Sequence, residues 1–178
     1  MTMTSSHIGQ SIAIARDYLA QHPDEARYTD SVAFAVVEDG LRCRVEGPNG
    51  ATIHTDMPAG VGGESRAPSP GWYLRAGLAS CAATLIIMRA AELGLRLRHV
   101  EVAVDSESDD RGILAMDAGV PAGPLSLAAR VRISADGVES QVLRDLVEWA
   151  DQHSPISDAL RRAVPTSVEL ESDEGEPS

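Results

Sequence analysis

Hydrophobic and polar positions along the chain alternate between two periods. Ile8, Ile12, Ala15 and Leu19 recur at helical spacing and predict a short amphipathic helix over 8–20, stopped near Gln21 and Pro23. Val32 to Val37 is apolar and β-branched. Asp39-Gly40 then signals a hairpin turn, and Leu41-Arg42-Cys43-Arg44-Val45 alternates at period two. Pro48-Asn49-Gly50 marks a second turn before Thr52 to Asp56, so a meander of three antiparallel strands is expected. A Gly- and Pro-rich loop follows over 57–70. Trp72 to Gly94 then reads as one long apolar helix, with Pro70 in its first turn and Gly94 just past its end.

The second half opens with Leu95, Leu97, Val100, Val102 and Val104, a strand whose alternation slips near His99. Asp105 to Gly112 reads as an acidic turn and Leu114 as part of a short strand. Leu127, Ala129, Val131 and Ile133 alternate against Arg130 and Arg132 as a further strand. Asp136, three residues before Glu139, has the spacing of a capping box. Val142, Leu143, Leu146, Val147 and Ala150 form one helical stripe after it. Val164 to Leu170 is expected as a final strand, and 171–178 as an acidic, disordered tail. The order of elements gives an α+β class. It divides into an N-terminal helix and linker over 1–30, a main domain over 31–170, and the tail.

A helix apolar all round must be covered all round. The two small sheets expected here can cover only part of it, and a second copy of the chain is the simplest remaining cover, so a homodimer is expected. Aromatic residues make up only 3% of the chain, which leaves Ala, Val, Leu and Ile to build the interior. The net charge of −12 disfavours nucleic acid and anionic membrane surfaces as partners. Arg75, Arg89 and Glu92 interrupt the apolar helix, which fits a core element better than a membrane span. Met1 to Gln10 carries no secretory pattern, and two cysteines make no disulfide framework, so a reducing cytoplasm is the expected setting.

The candidate chemistry centres on Cys81, set among small residues in Leu78-Ala79-Ser80-Cys81-Ala82-Ala83. It is either inert packing or a nucleophile that the helix presents. Pro70 lies eleven residues earlier and no cation stands three or four positions away, so activation would need an Arg from another segment, such as Arg42, Arg44 or Arg66. Cys43 shares a strand face with Leu41 and Val45 and reads as packing, with Arg42 and Arg44 on the other face. His153-Ser154 beside Asp151 cannot form a hydrolase triad, because adjacent residues do not align as nucleophile and base. Gly60-Val61-Gly62-Gly63 lacks the Lys of a phosphate loop, and Asp105, Glu107 and Asp109 lack the later ligands of a calcium loop. The histidines are scattered, and neither metal nor cofactor is expected.

Pro68-Ser69-Pro70 leading into Leu78-Ala79-Ser80-Cys81, the strand after Gly94, and Ser154-Pro155-Ile156-Ser157-Asp158-Ala159 together resemble the OsmC/Ohr family of osmotically inducible and organic hydroperoxide resistance proteins. The resemblance spans roughly 32–170. It implies an intertwined α+β homodimer, with small antiparallel sheets around a long buried central helix and the thiol site at the subunit interface. It places Cys81 at the family's peroxidatic cysteine, and Ser154 where the family has its second, resolving cysteine. The family's Glu near the start of the central helix corresponds to Gly71 or Trp72, and its activating Arg has no motif here, leaving Arg42 and Arg44 as candidates by location. Trp72, Tyr73 and Leu74 would line an apolar pocket. Two functions follow as expectations. One is a one-Cys thiol peroxidase that reduces an organic hydroperoxide and is recycled by an external thiol. The other is a non-catalytic relative that holds a small apolar ligand in the same pocket.

Overall fold

Residues 5–162 and 164–171 are described by the structure, a computed structural model. Its axis is a long helix, α2 (Pro70–Glu92), placed in chain order after α1 (Ser5–Gln21) and three strands, β1 (Phe34–Asp39), β2 (Arg42–Glu46) and β3 (Thr52–Thr55). Ser69 caps α2 by accepting the Trp72 N–H at 3.3 Å, and Pro70 occupies the first turn, where no amide is needed. At the other end Gly94 takes φ +68° and its N–H returns to the Ala91 carbonyl, while Leu95 N–H reaches that of Ala90. Those bonds stop the helix where the sequence predicts.

Beyond α2 come β4 (Leu97–Glu107), a single-turn α3 (Asp110–Ile113), β5 (Ser126–Ala135), α4 (Ser140–His153) and α5 (Pro155–Arg161). β4 and β5 form a two-stranded antiparallel sheet with Val100 opposite Ile133 and Val102 opposite Val131. The expected slip is present as a register shift between Leu97 and His99. α1, β4 and α4 all pack on α2. Its Ile86 and Ala90, with Leu146 and Ala150 of α4, are the best-buried apolar side chains among the described residues. α1 lies on the end of α2, where Gly9 approaches so closely that an added Cβ would sit 2.7 Å from the Ala91 carbonyl oxygen.

The three-stranded meander β1-β2-β3 stands differently. Every residue of β1 is exposed, including Phe34 at 64% and Val37 at 65%. Its polar links to the rest of the chain include the Tyr73 hydroxyl donating to the His54 carbonyl at 3.0 Å, and Asp56 N–H donating to the Pro68 carbonyl at 3.2 Å. α2 is long and apolar enough, by length and composition, to span a membrane, and most of its apolar window stays open within one chain.

Three expectations from the sequence are corrected. Residues 164–170 are exposed and join no sheet, since alternation in the sequence does not supply the hydrogen-bonding neighbour a strand needs. The acidic stretch from Asp105 runs on in β4 to Glu107, and Leu114 ends α3 instead of forming a strand. The Asp136/Glu139 capping box does not form. Gly137 turns the chain at φ +68°, Asp136 pairs with Arg98, and Glu139 precedes α4 with no side-chain cap. Most of the expected tail, 172–178, lies outside the described residues.

Candidate active site

Cys81 sits half-buried in the middle of α2. What reaches it is set by the break between α4 and α5. Pro155 has no N–H and cannot continue α4, so the chain bends at Ser154, which ends one helix and caps the next. Ser154 is completely buried. Its Oγ accepts the Ser157 N–H at 3.2 Å and donates its own proton to Cys81 Sγ at 3.2 Å. The cap therefore fixes the rotamer that aims the hydroxyl at the sulfur. Gly77, one turn before Cys81, lets α5 approach: a Cβ there would lie 3.3 Å from Ile156 Cδ1. The sulfur therefore has one fixed hydrogen-bond donor aimed at it from α5.

An apolar groove of about 830 Å³ is bounded by Leu78, Ala82 and Ile86 of α2 and by Leu127, Val131 and Ile133 of β5, and Cys81 is not among its lining residues. Leu78 and Ala82 flank Cys81 along the helix, and Ser157 lines the same space. Its rim is polar, with Arg144, Glu148 and Asp151.

The other residues singled out in the sequence are dispersed. Leu74 shares the Cys81 side of α2, two turns earlier, and is partly exposed. Tyr73 uses its hydroxyl on His54. Trp72 lines a separate cavity with Arg75 and the loop after β3. Arg42 and Arg44 both reach the Glu38 carboxylate at 3.2 Å, and Arg44 also pairs with Glu46. Arg66 pairs with Glu64 at 2.8 Å. All three arginines suggested as activators thus hold carboxylates within their own chain. Cys43 is half-buried in β2, opposite Val37 and Thr55.

Sequence reasoning missed the loop that frames Trp72. Asp56 is 3% exposed, and its carboxylate accepts the N–H groups of Met57 at 2.7 Å, Arg66 at 2.9 Å and Glu64 at 3.3 Å. The Arg66 amide above all, helped by those of Met57 and Glu64 and by the nearby Arg66 charge, outweighs desolvation and holds this carboxyl below the usual range. Gly63 closes the same loop, since a Cβ there would fall 1.9 Å from the Met57 carbonyl oxygen. An isolated Asp in a Gly-rich loop carries no signal for such a role.

The OsmC-like protein family model matches residues 62–169, from this loop to the end of the C-terminal segment. The chain belongs to that family. Its OsmC-like fold is repeated in solved structures. An organic hydroperoxide resistance protein OsmC from Legionella pneumophila is 25% identical, with a TM-score of 0.56 over 76% of this chain and 91% of that one. An OsmC-like protein from Mycoplasma pneumoniae, 12% identical, has a TM-score of 0.65 over 77% and 91%. An organic hydroperoxide resistance protein from Elizabethkingia anophelis, 19% identical, has a TM-score of 0.58 over 78% and 92%. No curated protein matches the chain.

Proposed function

We propose that this OsmC-like protein is a one-Cys thiol peroxidase acting on organic hydroperoxides, with Cys81 as its nucleophile. The observation that carries this reading is the buried Ser154 hydroxyl donating to Cys81 Sγ at 3.2 Å. The peroxide resistance named for the Legionella pneumophila relative supports the substrate class. The thiolate attacks one oxygen of the peroxide, the O–O bond breaks, and the leaving alkoxide takes a proton to become the alcohol. Sulfur is thereby oxidised to sulfenic acid. Ser154 cannot resolve it as a disulfide, so one external thiol condenses with it, releasing water. A second then frees Cys81 and leaves as the external disulfide. The overall change is one peroxide and two thiols to one alcohol, one disulfide and one water.

The working unit is a homodimer. The exposed strand β1 and the exposed apolar positions of α2, such as Leu74 and Ile87, support it. The expected setting remains a reducing cytoplasm, which would supply the external thiol.

Titration of the reduced protein with cumene hydroperoxide, with sulfenic acid trapped and read by intact mass, tests the reading. A stoichiometric adduct that vanishes in Cys81→Ser is the expected result. A thiol that gives no adduct, and alkylates no faster than a buried cysteine, would overturn it. A second reading has its own observation, the 830 Å³ groove between α2 and β5: a non-catalytic protein holding a small apolar ligand there. It gains if an apolar molecule copurifies in the groove and no Cys81-dependent turnover is measured.

A further inference from the structure

The basic residues of this chain, histidine aside, number fifteen and are all arginine. Among the described residues, eleven of them lie within 4.0 Å of a carboxylate. Arg27, Arg75, Arg96 and Arg144 do not, and of these Arg75 alone is half-buried, the others being exposed. Arg75 stands on the apolar helix α2, where a charge without a counterion is costly to keep. Its Nη1 donates to Ser106 Oγ of β4 at 3.1 Å. That bond fixes the guanidinium and uses one of its five N–H donors.

The guanidinium borders a cavity of about 340 Å³ whose walls include Trp72, Met57, Pro58, Ser65 and Ser69. The walls combine a half-exposed indole, apolar surface and two hydroxyls around a single cation. One acid also borders the space, Asp56, whose carboxylate oxygens are engaged by three backbone N–H groups of the loop and make no ion pair with Arg75. Gly71 leaves the approach open, the nearest atoms to a Cβ built there being Arg75 Nη1 and Ser69 Oγ at 3.9 Å. A planar guanidinium fork matches a carboxylate through paired hydrogen bonds, and an indole beside it suits a flat apolar body.

We propose that this cavity binds a small organic carboxylate, its charge on Arg75 and its apolar or aromatic body against Trp72. A volume near 340 Å³ fits a ligand of one or two rings. Arg75 precedes Cys81 by six positions, about 9 Å along the helix axis and on a different side of it. Within one chain this is a second site, and the inference does not depend on the peroxidase reading.

Benzoate and its neutral isostere benzamide test it by saturation-transfer NMR on the full-length protein. Benzoate is expected to bind saturably and benzamide about tenfold more weakly or worse, the difference being the charge on Arg75. In Arg75→Gln, which keeps a polar side chain of similar reach, benzoate should fall to the level of benzamide. Cys81→Ser should bind benzoate as the parent does. Equal binding of the two probes by the parent protein, or no saturable benzoate signal in the millimolar range, would overturn the proposal without any variant. So would benzoate affinity that survives in Arg75→Gln, or that is lost in Cys81→Ser, which would place the anion at the thiol.

Discussion

Ser154 Oγ and Cys81 Sγ lie 3.2 Å apart, and a sulfur in place of that oxygen would need to move by little more than 1 Å to bond. Ser154→Cys is therefore expected to convert a one-Cys site into a two-Cys one, with peroxide producing an intramolecular disulfide. A loss of two mass units and protection of both thiols from alkylation would register it. Ser154→Ala removes the donor and leaves the sulfur against a methyl group. Alkylation of Cys81 by iodoacetamide should slow about three- to tenfold, the equivalent of one ordinary hydrogen bond. An unchanged rate would mean that the hydroxyl only packs there.

Asp56 makes the loop before α2 sensitive to acid. Its carboxyl is held below the ordinary range in the folded protein, so it binds a proton less readily folded than unfolded. Its contribution to stability is therefore complete above the unfolded value near 4 and is lost as pH falls through and below it. Asp56→Asn should lower the melting temperature at neutral pH and flatten its decline below about pH 4. Thermal melts of both proteins across that range would check the sign.

Gly63→Ala should be among the most damaging single-methyl additions in this chain. The new Cβ meets backbone, the Met57 carbonyl at 1.9 Å, so the loop must open and carry the Asp56 amide contacts with it. Earlier backbone hydrogen exchange at Glu64 and Arg66 would be the signature, and native protection there would contradict it.

Glu92 ties α1 to the end of α2. Its carboxylate is only 8% exposed, pairs with Arg16 of α1 and takes Arg89 Nη1 at 3.3 Å, while Arg89 lies over the Trp149 ring. Arg16→Ala leaves the acid its second partner and should cost under about 1 kcal/mol. Glu92→Ala strips both arginines of their anion and should cost about 1–3 kcal/mol. Chemical denaturation of each variant gives the comparison, and equal costs would show that Arg89 does not share the acid.

Phe34 and Val36 of β1 are half or more exposed on one side of the strand within a single chain. The Phe34→Asp, Val36→Asp double variant should elute as a monomer in light scattering if that surface meets a second copy. A dimer of unchanged mass would move the interface elsewhere.

Periodicity made much of this fold legible: the ends of α2, the meander, and the slip at His99 all follow from local backbone preference. What escaped depended on distant partners. Residues 164–170 alternate like a strand, but alternation cannot supply the neighbour a strand needs. Asp136 has the spacing of a cap, yet Gly137 turns the chain and Arg98 takes the carboxylate. At the candidate site, family resemblance brought Cys81 and Ser154 together, whereas the choice of Arg42 and Arg44 ignored the acids beside them in the sheet, Glu38 and Glu46. Arg75 was legible as a charge on an apolar helix, but its lack of a carboxylate is a three-dimensional property.

Among the described residues the well-buried apolar side chains are few, and three of the six are alanines: Ala90, Ala91 and Ala150 beside Leu78, Ile86 and Leu146. In the proposed homodimer, so thin an interior makes folding and association a single equilibrium. The melting point then becomes a property of the sample as well as of the sequence, rising with concentration by mass action and falling on dilution. A cell could thereby tune how much intact protein it holds simply through how much chain it makes.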